Sequence, residues 1–458
     1  MIVSIDKDLC TGCQECVKVC PAYAIEGDVG KPQEINTSKC VVCGQCVQVC
    51  KSYASIIDHD LEFIENKKLE RNLPKIINEP LFAANNICDV DKVKEALKDP
   101  NKITMVQCAP AVRVALGEDF GMELGSLTPG KMAAALKALK FDKVYNTNFA
   151  ADLTIMEEGN ELIKRVTEGG VLPMFTSCCP AWVKFLEDNY PELTDHLSTC
   201  KSPQQMDGAV FKTYGAQINN LDPKNIYSVS IMPCTCKKFE CDRPEMNSSG
   251  YKDVDVVLTT RELAYLIKDA GIDFNTLEEC EFESPLGVYT GAGTIFGVTG
   301  GVMEAALRTG YEVITGESIP SIDIPIVRGF EDFRTTEIQV GDLTLKVGVV
   351  TGLKNVVPVL EDLKAGKLDL DFIEVMTCPV GCVSGGGQPK LLLEEYREIA
   401  YKNRAKATYE HDKNLPIRKS HENPEIKKIY DEFLKEPLGD VSHHLLHTKY
   451  CIKKEVTK

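Results

Sequence analysis

Cys10, Cys13, Cys16 and Cys20 are spaced C-x2-C-x2-C-x3-C with Pro21 behind them, and the spacing recurs at Cys40, Cys43, Cys46 and Cys50. In a run of this kind three closely spaced thiolates hold one iron–sulfur cubane and the fourth crosses to a neighbour. The doubled motif therefore predicts two 4Fe-4S clusters with crossed ligands. Cys10, Cys13, Cys16 and Cys50 form one set; Cys40, Cys43, Cys46 and Cys20 form the other. Zinc sites also use C-x2-C pairs, but two complete four-cysteine runs favour the clusters. Lys51 stands where a proline follows the first copy, a departure that touches turn geometry and no ligand.

Such a module stores and passes electrons, so the remainder must use them. The chain has 458 residues and twenty cysteines. In an intracellular protein of this size that number calls for metal or redox chemistry rather than a disulfide framework. Outside the doubled motif the cysteines gather around Cys179, Cys234 and Cys378. At 43% hydrophobic and 26% charged residues, the chain can bury large cores and divide into two or more domains. A net charge of −16 argues against a nucleic-acid backbone or an anionic membrane as partner. No apolar run is long enough to span a bilayer, and "MIVSIDKDLC" leads straight into the first motif. A cytoplasmic location is expected.

Residues 1–80 are expected to form the cluster module with a connecting segment, "ENKKLERNLPKI" reading as a helix or linker. Residues 81–458 are expected to form the catalytic domain. There, amphipathic helical segments alternate with the apolar runs "KITMVQ", "IYSVSIMP", "VDVVLTT", "LKVGVVTG" and "LDFIEVMT". This alternation predicts buried strands in an α/β arrangement. Several runs end at cysteines, which places those cysteines in strand-to-helix loops, where sites are commonly built.

In "MFTSCCPAW" two cysteines are adjacent. Neighbouring side chains on extended backbone point to opposite sides, so one metal centre would rarely take both, and one of Cys178 and Cys179 has another task. Taken with "MPCTCKKFE" and "EVMTCPVGCVSGGGQP", this segment closely resembles the three signatures of the FeFe hydrogenases, in the same order. "QCAPAVRVALGE", "ADLTIMEE", "KSPQQM", "GAGTIFGVTGGVMEAALR", "RKSHENP" and "LLHTKY" extend the resemblance over nearly the whole chain.

The resemblance implies a mixed α/β chain: a two-cluster ferredoxin-like N-terminal domain, then a two-lobed catalytic domain that includes a C-terminal small-subunit-like segment. It implies the H-cluster, a 4Fe-4S cubane joined through one cysteine sulfur to a two-iron subsite with carbonyl, cyanide and azadithiolate ligands. Matched residue by residue, Cys179, Cys234, Cys378 and Cys382 hold it, Cys382 bridging. A plain 4Fe-4S cluster with four distributed ligands uses the same cysteines. Cys178 matches the last proton donor, and a thiol with a reference pKa of about 8.5 suits reversible proton exchange. Glu158, Ser198, Glu161 and Arg165 match the path behind it. Lys237 matches a lysine that hydrogen-bonds cyanide, a charge-assisted contact. Met232, Met376, Gln204, Pro203, Phe296, Gly297, Ala109 and Pro110 match the pocket wall.

The implied reaction interconverts dihydrogen with protons and electrons, with ferredoxin or flavodoxin as electron partner and maturation enzymes supplying the two-iron subsite. Like-signed partners would need a local basic patch, expected near Lys39 or Lys51. Sensory hydrogenases and hydrogenase-like iron–sulfur assembly scaffolds are the competing assignments. The run "SGGGQP" should let backbone approach the cluster closely, and "TGAGTIFG" reads as pocket wall rather than a nucleotide turn. Cys88, Cys108, Cys200, Cys241, Cys280 and Cys451 are expected to be structural thiols for the most part. Cys236, two residues from Cys234, is set apart as one that could approach the site under oxidation.

Overall fold

The computed structural model describes residues 1–55, 59–73 and 79–450. Cys451 and the end of "ENKKLERNLPKI" lie outside the described residues; the start of that segment belongs to the helix Leu61–Glu70. In the N-terminal module each cysteine run supplies one short helix, Glu15–Val19 and Gln45–Val49. The two helices pack together beside the ribbon Ile25–Glu26 with Glu34–Ile35. Such a small apolar core leaves much of the interior to sulfur: Cys16 and Cys46 are buried beside Val3, Ile25, Ile35 and Val47.

All five apolar runs form strands. Ile103–Cys108, Lys143–Val144, Ile226–Met232 and Val256–Thr259 make one four-stranded parallel sheet, with Ile226–Met232 and Ile103–Cys108 in its centre. The second four-stranded sheet carries Phe333–Val340 at one edge, antiparallel to Leu343–Thr351; Phe372–Met376 and Met174–Phe175 follow in parallel. Central strands buried on both faces need continuous apolar runs, and Phe372–Met376 is buried at every residue.

Helices cover both sheets. The longest, Thr147–Glu168, starts at Asn146, whose side chain accepts from the Asn148 amide at 3.0 Å. Open parallel sheets build sites beyond the carboxyl ends of their strands, and here two such ends face one space. Among the described residues no helix is long and apolar enough to cross a membrane.

Candidate active site

Four of the parallel strands deliver cavity-lining segments to that space. The strand ending at Cys108 leads into Ala109 and Pro110, the one ending at Met232 into Cys234, the one ending at Phe175 into Cys178 and Cys179, and the one ending at Met376 into Cys378 and Cys382. Ala109, Pro110, Cys178, Cys179, Cys234, Cys378 and Cys382 line one cavity, together with Pro203, Gln204, Lys237, Phe296 and Gly297. Thr176 fastens the paired-cysteine loop: its hydroxyl accepts from the Val375 amide at 3.1 Å and its carbonyl from Trp182 Nε1 at 3.1 Å.

The adjacent cysteines divide as extended backbone requires. Cys178 packs with the apolar cluster of Met174, Phe296 and Met376, and Cys179 with that of Phe175, Trp182 and Val375. Burial, reinforced by neighbouring thiols, pushes Cys234 up to about 11 and Cys382 up to about 12. Burial and then the Glu158 carboxyl hold Cys178 well above the usual thiol range. Cys236 does not line the cavity and is fully buried in an apolar cluster.

Lys237 lies in the short helix Cys236–Cys241. Its Nζ donates to the Cys178 carbonyl at 3.1 Å and to Glu240 Oε2 at 2.9 Å. Glu240 also accepts from Ser202 Oγ at 2.8 Å and Gln204 Nε2 at 3.0 Å. Sequence reasoning passed over Glu240. The available signal was its place three residues after Lys237 in "KKFE", one helical turn on.

Glu158 and Glu161 share the inner face of the long helix, buried rather than solvated. Ser198 Oγ donates to Glu161 Oε2 at 2.9 Å, and Arg165 Nη2 to Glu161 Oε1 at 2.6 Å. Among the described residues neither oxygen of Glu158 makes a hydrogen bond of good geometry, although Ser198 and the Ser177 backbone lie close enough to favour its charged form. Burial, then the Glu161 charge, pushes its carboxyl up to about 8. The Ser198, Glu161 and Arg165 links are thus direct, while Glu158 is coupled to Cys178 by charge and to Ser198 by proximity.

In the N-terminal module Cys10, Cys13, Cys16 and Cys50 line one small cavity, and Cys20, Cys40, Cys43 and Cys46 another. Cys13 is exposed. The second cavity abuts the catalytic site: Thr235 Oγ1 donates to the Val42 carbonyl at 2.7 Å, and Gln45 Nε2 lies 3.3 Å from Cys378 Sγ. The glycine run serves this junction. A Cβ on Gly386 would stand 2.3 Å from the Cys43 carbonyl oxygen, so its backbone approaches the neighbouring module. Lys39 and Lys51 sit near carboxylates, at 3.4 Å from Glu26 and 3.8 Å from Glu15, so this surface alternates in sign.

Residues 102–386 match the family model described as iron only hydrogenase large subunit, C-terminal domain; residues 398–453 match iron hydrogenase small subunit, and residues 2–51 match a 4Fe-4S dicluster domain. The NADP-reducing hydrogenase subunit HndD of Solidesulfovibrio fructosivorans is 50% identical over 78% of this chain and 62% of its own length. The chain therefore spans less than two thirds of that relative. A structure of a variant FeFe-hydrogenase HydA1 from Chlamydomonas reinhardtii superposes with a TM-score of 0.70 at 41% identity, covering 79% of this chain and 98% of that one. Cytosolic iron-sulfur assembly component 3 of Rattus norvegicus is 28% identical over 79% of this chain and 77% of its length.

Proposed function

Because the chain belongs to the iron-only hydrogenase family, we propose that it interconverts dihydrogen with protons and electrons, reversibly, in exchange with a ferredoxin or flavodoxin. The observation that carries this reading is the meeting of Cys179, Cys234, Cys378 and Cys382 with Cys178 and Lys237 in one cavity at the carboxyl ends of two sheets.

The donor set fits the family's H-cluster. Four half-buried thiols gathered in one cavity are a poor arrangement for free cysteines, and a cluster of iron cations relieves it. Beside them Met232, Met376 and Phe296 wall a pocket, and Lys237 offers a buried ammonium suited to an anionic ligand. When bound, the H-cluster supplies the iron site at which dihydrogen is split or formed and the amine that exchanges the proton.

The chain's residues do the rest. Cys178, held as a thiol, passes the proton between the cavity and Glu158. Glu158, protonated at neutral pH, serves as the inner carboxylic acid; Ser198 and Glu161 relay, and Arg165 stands at the outer end with 13% of its side chain exposed. Buried carriers that remain neutral avoid the cost of placing an isolated charge in apolar protein. The two four-cysteine cavities would hold two 4Fe-4S clusters. Electrons would enter beside exposed Cys13 and reach the site across the contact of Gln45 with Cys378.

Similarity to an iron–sulfur assembly protein gives the scaffold reading its standing, and one experiment separates the two. Produced together with maturation enzymes, the protein should show infrared bands of bound carbonyl and cyanide and evolve dihydrogen from a reduced dye. Iron–sulfur signals without those bands would favour the scaffold.

A further inference from the structure

Glu161, Cys200 and His447 form a second group of ligand-type side chains, buried and outside the cavity. Cys200 Sγ lies 3.8 Å from Glu161 Oε2 and 3.9 Å from His447 Nδ1, and the ligand atoms all lie within 4.8 Å of one another. A tetrahedral zinc ion, with sulfur at about 2.3 Å and nitrogen or oxygen at about 2.0 Å, draws its ligand atoms to roughly 3.3 to 3.5 Å apart. The two distances to sulfur exceed that range by about 0.3 to 0.4 Å, and the third pair lies within 4.8 Å, so a modest inward movement of the side chains completes the geometry.

The imidazole is also oriented for such a role. His447 Nε2 lies 3.0 Å from Glu157 Oε2, and Glu157 is itself held by the Leu438 amide at 2.9 Å and by the Tyr430 hydroxyl. A carboxylate behind a histidine places the proton on the far nitrogen and leaves the near one as a lone pair. Nδ1 is that near nitrogen, and it now accepts from Thr199 Oγ1 at 2.8 Å. The site meets the outer end of the proton route, because Arg165 caps the same Glu161 carboxylate at 2.6 Å.

We propose that Glu161, Cys200 and His447 bind one divalent cation of the zinc class, with water as the fourth ligand. The Cys200 thiol loses its proton to solvent as the metal–sulfur bond forms, and no electron changes hands. The ion takes the Glu161 oxygen that now accepts from Ser198. Occupancy therefore closes the proton route at Glu161; this consequence, unlike the binding itself, rests on the route assigned above.

The test adds zinc to the cluster-loaded enzyme and reads X-ray absorption at the zinc edge, to which iron is silent, alongside dihydrogen turnover. One zinc per chain with a single sulfur neighbour is expected, and it should be lost in both Cys200→Ala and His447→Gln. Turnover should fall at least tenfold in the unaltered enzyme and less than twofold in Cys200→Ala, each relative to the same protein without zinc. Zinc with four sulfur neighbours, or the same zinc content in Cys200→Ala, would overturn the site. Zinc held by one sulfur with turnover unchanged would support the site and overturn the route through Glu161.

Discussion

The side-chain amide of Gln45 donates to Cys378 Sγ at 3.3 Å, joining the helix between Cys43 and Cys50 to the catalytic cavity 333 residues further along the chain. The same nitrogen lies 3.1 Å from the Ser384 carbonyl. Hydrogen bonds to a cluster's sulfurs tune its reduction potential, and a donor stabilises the more negative, reduced state. Gln45→Leu should therefore lower the midpoint potential of the catalytic cubane, measured by redox titration of its infrared or EPR signals. It should also cost about 1 to 3 kcal/mol of stability through the unpaired Ser384 carbonyl. An unchanged potential would mean that the contact only fastens the modules together.

Glu158 sets the expected pH dependence. Its folded pKa of about 8 lies above the reference value of 4.5. The native state therefore binds a proton across that interval which the unfolded chain releases. Stability from this carboxyl is complete below about 4.5 and has gone once the pH passes about 8. The acid form that donates inward is depleted over the upper part of the same window. Dihydrogen evolution, followed with reductant in excess, should decline through about pH 8. Glu158→Gln should be slow throughout and show no such break. A break that persists in Glu158→Gln would assign it to another group.

Much of this was legible from spacing. The doubled cysteine run anticipated which thiols gather in each small cavity, and apolar runs of strand length marked five strands, because strands buried on both faces leave no alternation to misread. The contacts that cross the fold were hidden. Nothing near Gly386 indicates that it meets Cys43, while its neighbour Gly385 lines the catalytic cavity, where the glycine run was expected. The partners of Glu240, Ser202 and Gln204, lie 38 and 36 residues away and meet it only in the fold. Cys200 is buried, as expected of a structural thiol, and its neighbour His447, 247 residues away, comes to it only through the fold.

Glu240 supplies a third expectation. It pairs with Lys237 at 2.9 Å, with 6% and 11% of the two side chains exposed. Removing one member of a buried ion pair costs about 3 to 5 kcal/mol, because the remaining charge has no partner. Glu240→Ala should lower stability on that scale in denaturant titrations of the cluster-loaded protein, and Glu240→Gln by less. Equal stability of all three proteins would place the Lys237 charge on another acceptor.

The most direct measurement compares the infrared spectrum and the dihydrogen turnover of Cys178→Ala. In the proposed route Cys178 carries a proton and binds no iron, so the carbonyl and cyanide bands and the iron content should stay close to those of the unaltered enzyme. Turnover should fall at least about a hundredfold, roughly 2.7 kcal/mol in the barrier, in both directions. Loss of the bands together with the cubane would show that Cys178 is a ligand, and turnover equal to the unaltered enzyme would show that protons bypass it; either result would contradict the division of labour between the paired cysteines.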